Sequence, residues 1–140
     1  MNRREKLMKH TIGSFEKVSF PEFGMNNVVA KIDTGAFTGA LHCTRVHEKE
    51  EDGIQMLYFS PFNNPKTVYK TDNFERGIVK SSNGSTTERY FIETSIILKK
   101  NRYAITLTLA NRSEMKWPVL IGRRFLHANE FVVDVSQLKR

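Results

Sequence analysis

The chain has 140 residues, 39% of them hydrophobic, with one Cys and a formal charge of +7. That length suits one compact domain with a single core, and a lone Cys43 excludes an internal disulfide. The basic opening MNRREKLMKH lacks the apolar stretch of a signal peptide or membrane span, so the expectation is a cytoplasmic protein with no membrane partner.

In chain order, short β-branched and aromatic runs alternate with turn residues, the pattern of an all-β domain. It predicts strands at 11–20, 27–32, 40–46, 54–60, 75–80, 88–99, 103–110, 119–121 and 131–135, and one short C-terminal helix over 122–128. Pro21, Gly24, Asp52-Gly53 and Pro118 punctuate these runs because they disfavour strand continuation. Residues 61–74, rich in Asn, Lys and Thr, read as a surface loop. Asn83-Gly84, flanked by extended sequence, reads as a hairpin tip because both residues tolerate positive φ. Residues 1–10 read as a flexible basic N-terminus and 11–140 as the folded domain.

The isoelectric point near 9.7 favours an acidic partner: nucleic acid, anionic lipid or an acidic polypeptide. Part of the excess lies at the chain ends, and no RRM, KH or zinc-finger signature interleaves aromatic with basic residues. The reading is therefore against a nucleic-acid partner.

Asp33 is the residue whose placement demands an explanation. Val28, Val29, Ala30 and Ile32 run directly into it, although an ionised carboxylate is costly to bury. It either closes a strand by accepting backbone N–H bonds in an Asp-Thr-Gly turn, or serves chemistry. A second apolar run ending in glycine, PVLIGRRFL, lies near the C-terminus.

Together these blocks resemble the retropepsin-like aspartic peptidases, in which Asp-Thr-Gly-Ala carries the catalytic acid and a later Ile-Gly-Arg packs beneath it. The chain is similar, over nearly its whole length, to a bacterial family of that fold labelled ATP-dependent zinc proteases. IGSFEKVSFPEFG, AKIDTGAFTGALHC, VKSSNGSTTERYFI and VLIGRRFLHANEFVVDVS occur in order. The resemblance implies a single-lobed retropepsin-like acid-protease barrel. The label itself finds no footing in the residues. There is no GxxxxGK[ST] loop for ATP and no HExxH for zinc. His42 and Cys43 would point to opposite faces of a strand, so with His47 they make a poor metal site. No metal and no cofactor is expected; the ATP wording fits an association of such genes with ATP-grasp peptide ligases.

The resemblance implies roles residue by residue. Asp33, Thr34 and Gly35 would be the catalytic loop, with Thr34 bonding across a dimer and Gly35 admitting substrate backbone beside Ala36. Ser81, Ser82, Asn83 and Gly84 would cover the substrate as a flap, or simply form a solvated turn. Gly122 and Arg123 would support the loop, Arg123 by hydrogen bonds, unless it is an ordinary helix-surface arginine. Viral retropepsins carry acids where this chain has Phe37 and Thr38, so their manner of gripping substrate does not transfer.

Aspartic catalysis needs two carboxylates sharing a proton, and Asp52, Asp72 and Asp134 lack the following Thr-Gly. An active peptidase would therefore be a homodimer with one Asp33 from each subunit. The extra segment from 48 to 75 and the basic balance point to an acidic, glutamate-rich peptide as substrate. A non-catalytic peptide-binding or dimerisation module is the alternative, and a metal-dependent hydrolase the third reading.

Overall fold

The structure, a computed structural model, describes residues 2–4, 10–62, 66–80, 83–110 and 117–137. Alternating burial drives the strands. In β8 (Thr86–Leu98), Ile92, Thr94, Ile96 and Leu98 turn inward while their neighbours face out, the period-two pattern of a half-buried strand. β2 (Phe15–Phe20) does the same with Val18 and Phe20. Each fully buried Leu, Ile or Phe contributes roughly 1.5–3 kcal/mol.

Six strands pair in a ring. β10 (Val119–Ile121) runs parallel to β3 (Met25–Ile32), which pairs with β2, then β8, β9 (Asn101–Ala110) and β4 (Gly39–Glu51); β4 then pairs antiparallel with β10. Leu41, Ile92, Ile96, Leu107, Val119 and Ile121 fill the interior. This is a single all-β fold, with the short helix α1 (Arg123–Ala128) following β10.

Two extensions leave the ring. The first is an arm in which the outer part of β4 pairs with β5 (Ile54–Pro61). A register shift between Thr44 and His47, with Arg45 at φ 53°, bends the strand as a bulge does. The second is the ribbon of β7 (Phe74–Lys80) against β8. β1 (Thr11–Ile12) lies parallel to β11 (Val132–Val133) in a separate two-stranded sheet.

Several boundaries differ from expectation. The segment 61–74 is not all loop: β6 (Tyr69–Thr71) pairs with β5, and β7 begins at Phe74. Its polar sequence is overridden by pairing with β5 and by packing of Tyr69 against Phe23 and Phe59. The strand expected at 11–20 breaks at Gly13-Ser14, where the Gly13 N–H donates to the buried Glu16 carboxylate at 2.7 Å. The strand expected at 40–46 continues to Glu51, held by β5. The strand expected at 131–135 shortens to Val132–Val133, and the helix begins at Arg123 with Gly122 as an extended N-cap. At the hairpin tip Gly84 has φ 88°, whereas Asn83 accepts the backbone and hydroxyl of Ser85 through its side chain.

Candidate active site

Asp33 sits where β3 leaves the ring. Its N–H donates to the Ile121 carbonyl at 2.8 Å, so β10 fixes the height of the loop from below. The carboxylate folds back: Oδ1 accepts the Gly35 N–H at 3.0 Å, and the Asp33 carbonyl accepts the Ala36 N–H at 3.2 Å. The turn-forming role and a half-buried place on the groove thus coexist in one side chain.

The loop is bound to the start of α1 by backbone. Arg123 and Arg124 N–H groups donate to the carbonyls of Ala36 and Phe37 at 2.7 and 2.9 Å. Gly122 makes that approach possible, because a Cβ there would come within 2.6 Å of the Phe37 carbonyl oxygen. The Arg123 guanidinium completes the seat: Nη1 donates to the carbonyls of Thr34 and Gly35 at 3.2 and 3.0 Å. Its carbon lies 5.9 Å from the centroid of the Phe37 ring. An aromatic face thus meets the cation.

Asp33, Gly35 and Ala36 line a groove of about 640 Å³ that also takes in Ile78 and Lys80 of β7 and Arg89 and Phe91 of β8. Among the described residues, its lining takes in four cationic residues, Lys80, Arg89, Arg123 and Arg124, and one acidic residue, Asp33. Phe37 and Ile78 are its exposed apolar members, 59% and 73% accessible. Thr34 is exposed on the same loop. Asn83 and Gly84 lie in the turn beyond β7; Ser81 and Ser82 lie outside the described residues. Sequence reasoning singled out Arg123 but missed Lys80, Arg89, Phe91 and Arg124. The period-two spacing of Arg89 and Phe91 was a usable signal, since it puts both on one face of β8.

The three residues weighed for metal do not converge. Cys43 is fully buried, and burial pushes its thiol up to about 12, against the lowering effect of a backbone bond from Ala110. The thiolate needed for metal binding is therefore suppressed at neutral pH. His47 is exposed and stacks on Tyr58 at 5.3 Å. Among the described residues, no three His, Cys, Asp or Glu side chains are grouped to hold an ion. None of their helices is long and apolar enough to cross a membrane.

The chain is 32% identical over 92% of its length to a protein of Shewanella pealeana named probable alpha-L-glutamate ligase. It is 33% identical over 93% to one of Desulfotalea psychrophila with the same name. In each case it spans only 29% of the relative's length. A solved Legionella pneumophila protein of unknown function superposes with a TM-score of 0.72 at 27% identity, covering 91% of this chain and 94% of that one. A family model described as RimB-like, retropepsin-like aspartic endopeptidase RimB, matches residues 11–139. The chain belongs to this RimB-like, retropepsin-like aspartic endopeptidase family.

Proposed function

We propose that the protein is a homodimeric aspartic peptidase that hydrolyses acidic, glutamate-rich peptides with a dyad of Asp33 carboxylates, one from each subunit. The observation that carries this reading is the groove itself, whose described lining has four cationic residues and one acidic residue, Asp33, seated on an Asp-Thr-Gly loop. One carboxylate cannot perform the reaction; two brought together share a proton because both cannot ionise at close range. The ionised partner takes a proton from water, whose oxygen attacks the peptide carbonyl carbon, while the protonated partner donates to the carbonyl oxygen. Collapse of the tetrahedral species breaks the C–N bond and passes a proton to the leaving amine. No cofactor enters these steps. Arg123 serves by holding the Thr34 and Gly35 carbonyls, and so the loop, in place.

The substrate class is supported by charge complementarity, which speeds encounter and disfavours cationic peptides. The relatives' name, probable alpha-L-glutamate ligase, agrees with a partner chemistry of glutamate linkages. The coverage of 29% of those relatives also favours a second reading, a non-catalytic module that holds a glutamate-rich chain. Hydrolysis of glutamate-rich and neutral peptides by wild type and Asp33→Asn, each with and without EDTA, separates the possibilities. The peptidase is supported if salt weakens cleavage of the acidic peptide, the Asp33→Asn substitution abolishes it and EDTA leaves it unchanged. Binding without cleavage supports the module, and loss of activity with EDTA would revive a metal-dependent hydrolase.

A further inference from the structure

The β7–β8 ribbon leaves the ring at a definable point. β8 pairs with β9 as far as Phe91, opposite Thr108; beyond it, residues 86–90 pair with β7. β7 in turn has β8 as its partner strand. A two-stranded ribbon is marginally stable on its own. One residue past the last β8–β9 pair, a third element grips it. Glu48, on the β4–β5 arm, accepts the Tyr90 hydroxyl at 2.7 Å and the Arg76 Nε at 2.6 Å on the same carboxylate oxygen. Arg76 Nη2 pairs with that oxygen too, and Gln55 of β5 donates to the other at 3.4 Å. The Glu48 side chain is only 14% exposed.

Arg76 and Tyr90 face each other directly across the ribbon, so they share one face. Arg89 and Phe91, the neighbours of Tyr90, turn to the other face and line the groove with Asp33. The Phe91 ring lies over Gly77, where a Cβ would overlap it. Phe91 is also held by Thr108 of β9, so whatever fixes Arg76 and Tyr90 acts chiefly on the depth and angle of Arg89 and on how β7 packs over the Phe91 ring.

We infer that Glu48 is a positioning residue: it tethers the ribbon to the β4–β5 arm through Tyr90 and Arg76 and thereby sets the groove wall formed by Arg89 and by β7 over the Phe91 ring. The arm, which is additional to the ring, then has a purpose in substrate binding without touching substrate. The kinetic part of the test rests on the peptidase reading; the exchange part does not.

Amide hydrogen exchange is to be followed in wild type, Glu48→Ala, Glu48→Gln, Tyr90→Phe and Asp33→Asn. Exchange of the amides in 76–80 and 86–90 becomes about tenfold faster in Glu48→Ala, as local opening becomes easier, while amides of β9 keep their wild-type rates. Glu48→Gln, which retains an acceptor for Tyr90, recovers part of the protection, and Tyr90→Phe loses part of it. Asp33→Asn exchanges like wild type. With a glutamate-rich peptide, Glu48→Ala raises KM about fivefold with kcat within about twofold, because a smaller fraction of molecules holds the competent wall. Unchanged ribbon exchange in Glu48→Ala overturns the inference, as does acceleration spread equally over β9. Unchanged KM alongside a loosened ribbon overturns its link to binding. Absence of all peptidase activity in wild type strikes the peptidase reading, and the exchange rates still decide the tether.

Discussion

The Asp33 loop and the β7–β8 ribbon face each other across one groove but are held by different means. The loop is seated chiefly through backbone bonds to Ile121, Arg123 and Arg124, over a glycine that admits close approach, with the Arg123 guanidinium and the Asp33 carboxylate adding side-chain bonds. The ribbon is held through side chains on its outer face, chiefly Tyr90 and Arg76 on Glu48. Backbone contacts persist through most side-chain changes and do not titrate. Side-chain tethers yield to substitution, acid and salt. The Asp33 half of the groove is thus the less adjustable of the two, and the ribbon half the more.

That contrast can be broken most severely at the loop. Asp33→Asn removes the shared proton and lowers kcat by at least about a thousandfold in a peptide-hydrolysis assay, with little change in melting temperature. Gly122→Ala forces a methyl group against the Phe37 and Ala36 carbonyls. It costs about 2–3 kcal/mol, read as a lower urea midpoint, and activity falls with it. Arg123→Lys keeps the charge but loses the guanidinium whose Nη1 reaches two carbonyls. We expect about tenfold lower kcat with a folded protein, measured by steady-state kinetics.

The adjustable half is tested by pH. The Tyr90 hydroxyl, and then Arg76, hold the Glu48 carboxyl below its ordinary value despite the opposing effect of desolvation. A carboxyl lowered on folding contributes stability that is fully present above its unfolded value and lost as pH falls through its folded one. Arg76 and Tyr90 on the ribbon and Gln55 on β5 face it, with Glu88 adding to the field at Arg76. Ribbon protection, taken relative to the intrinsic exchange rate at each pH, should therefore fall toward acid pH in wild type, and much less so in Glu48→Gln. The smallest effect is expected at Glu51–Lys70, an ion pair of 3.0 Å between the arm and β6 whose Lys is 54% exposed. Lys70→Ala should change the unfolding free energy by no more than about 0.5 kcal/mol.

The ring strands and the Asp-Thr-Gly loop were legible because local pattern and tertiary role agree: apolar runs of period two enter a turn whose residues suit it. β6 and the outer part of β4 were not, since KTVYKTDN and HEKEE are polar and become strands only through pairing with β5. Only Tyr69, an aromatic residue amid polar ones, hinted at burial there. The cationic wall was legible as net charge but not as a place. Arg89 and Arg124 lie 35 positions apart in sequence, and the fold brings both to the groove of Asp33. Phe37 stands out in the sequence as a departure from the viral pattern, but its ring lies near Arg123 only through the fold.

The central claim is that two Asp33 residues from different subunits make one active centre, and subunit mixing tests it most directly. Wild type and Asp33→Asn are combined in equal amounts, allowed to exchange subunits, and assayed on a glutamate-rich peptide at fixed total protein. If catalysis needs both carboxylates, only wild-type homodimers are active, and the mixture retains about one quarter of the wild-type rate. Retention of about one half would mean that each Asp33 acts alone, and would contradict the account.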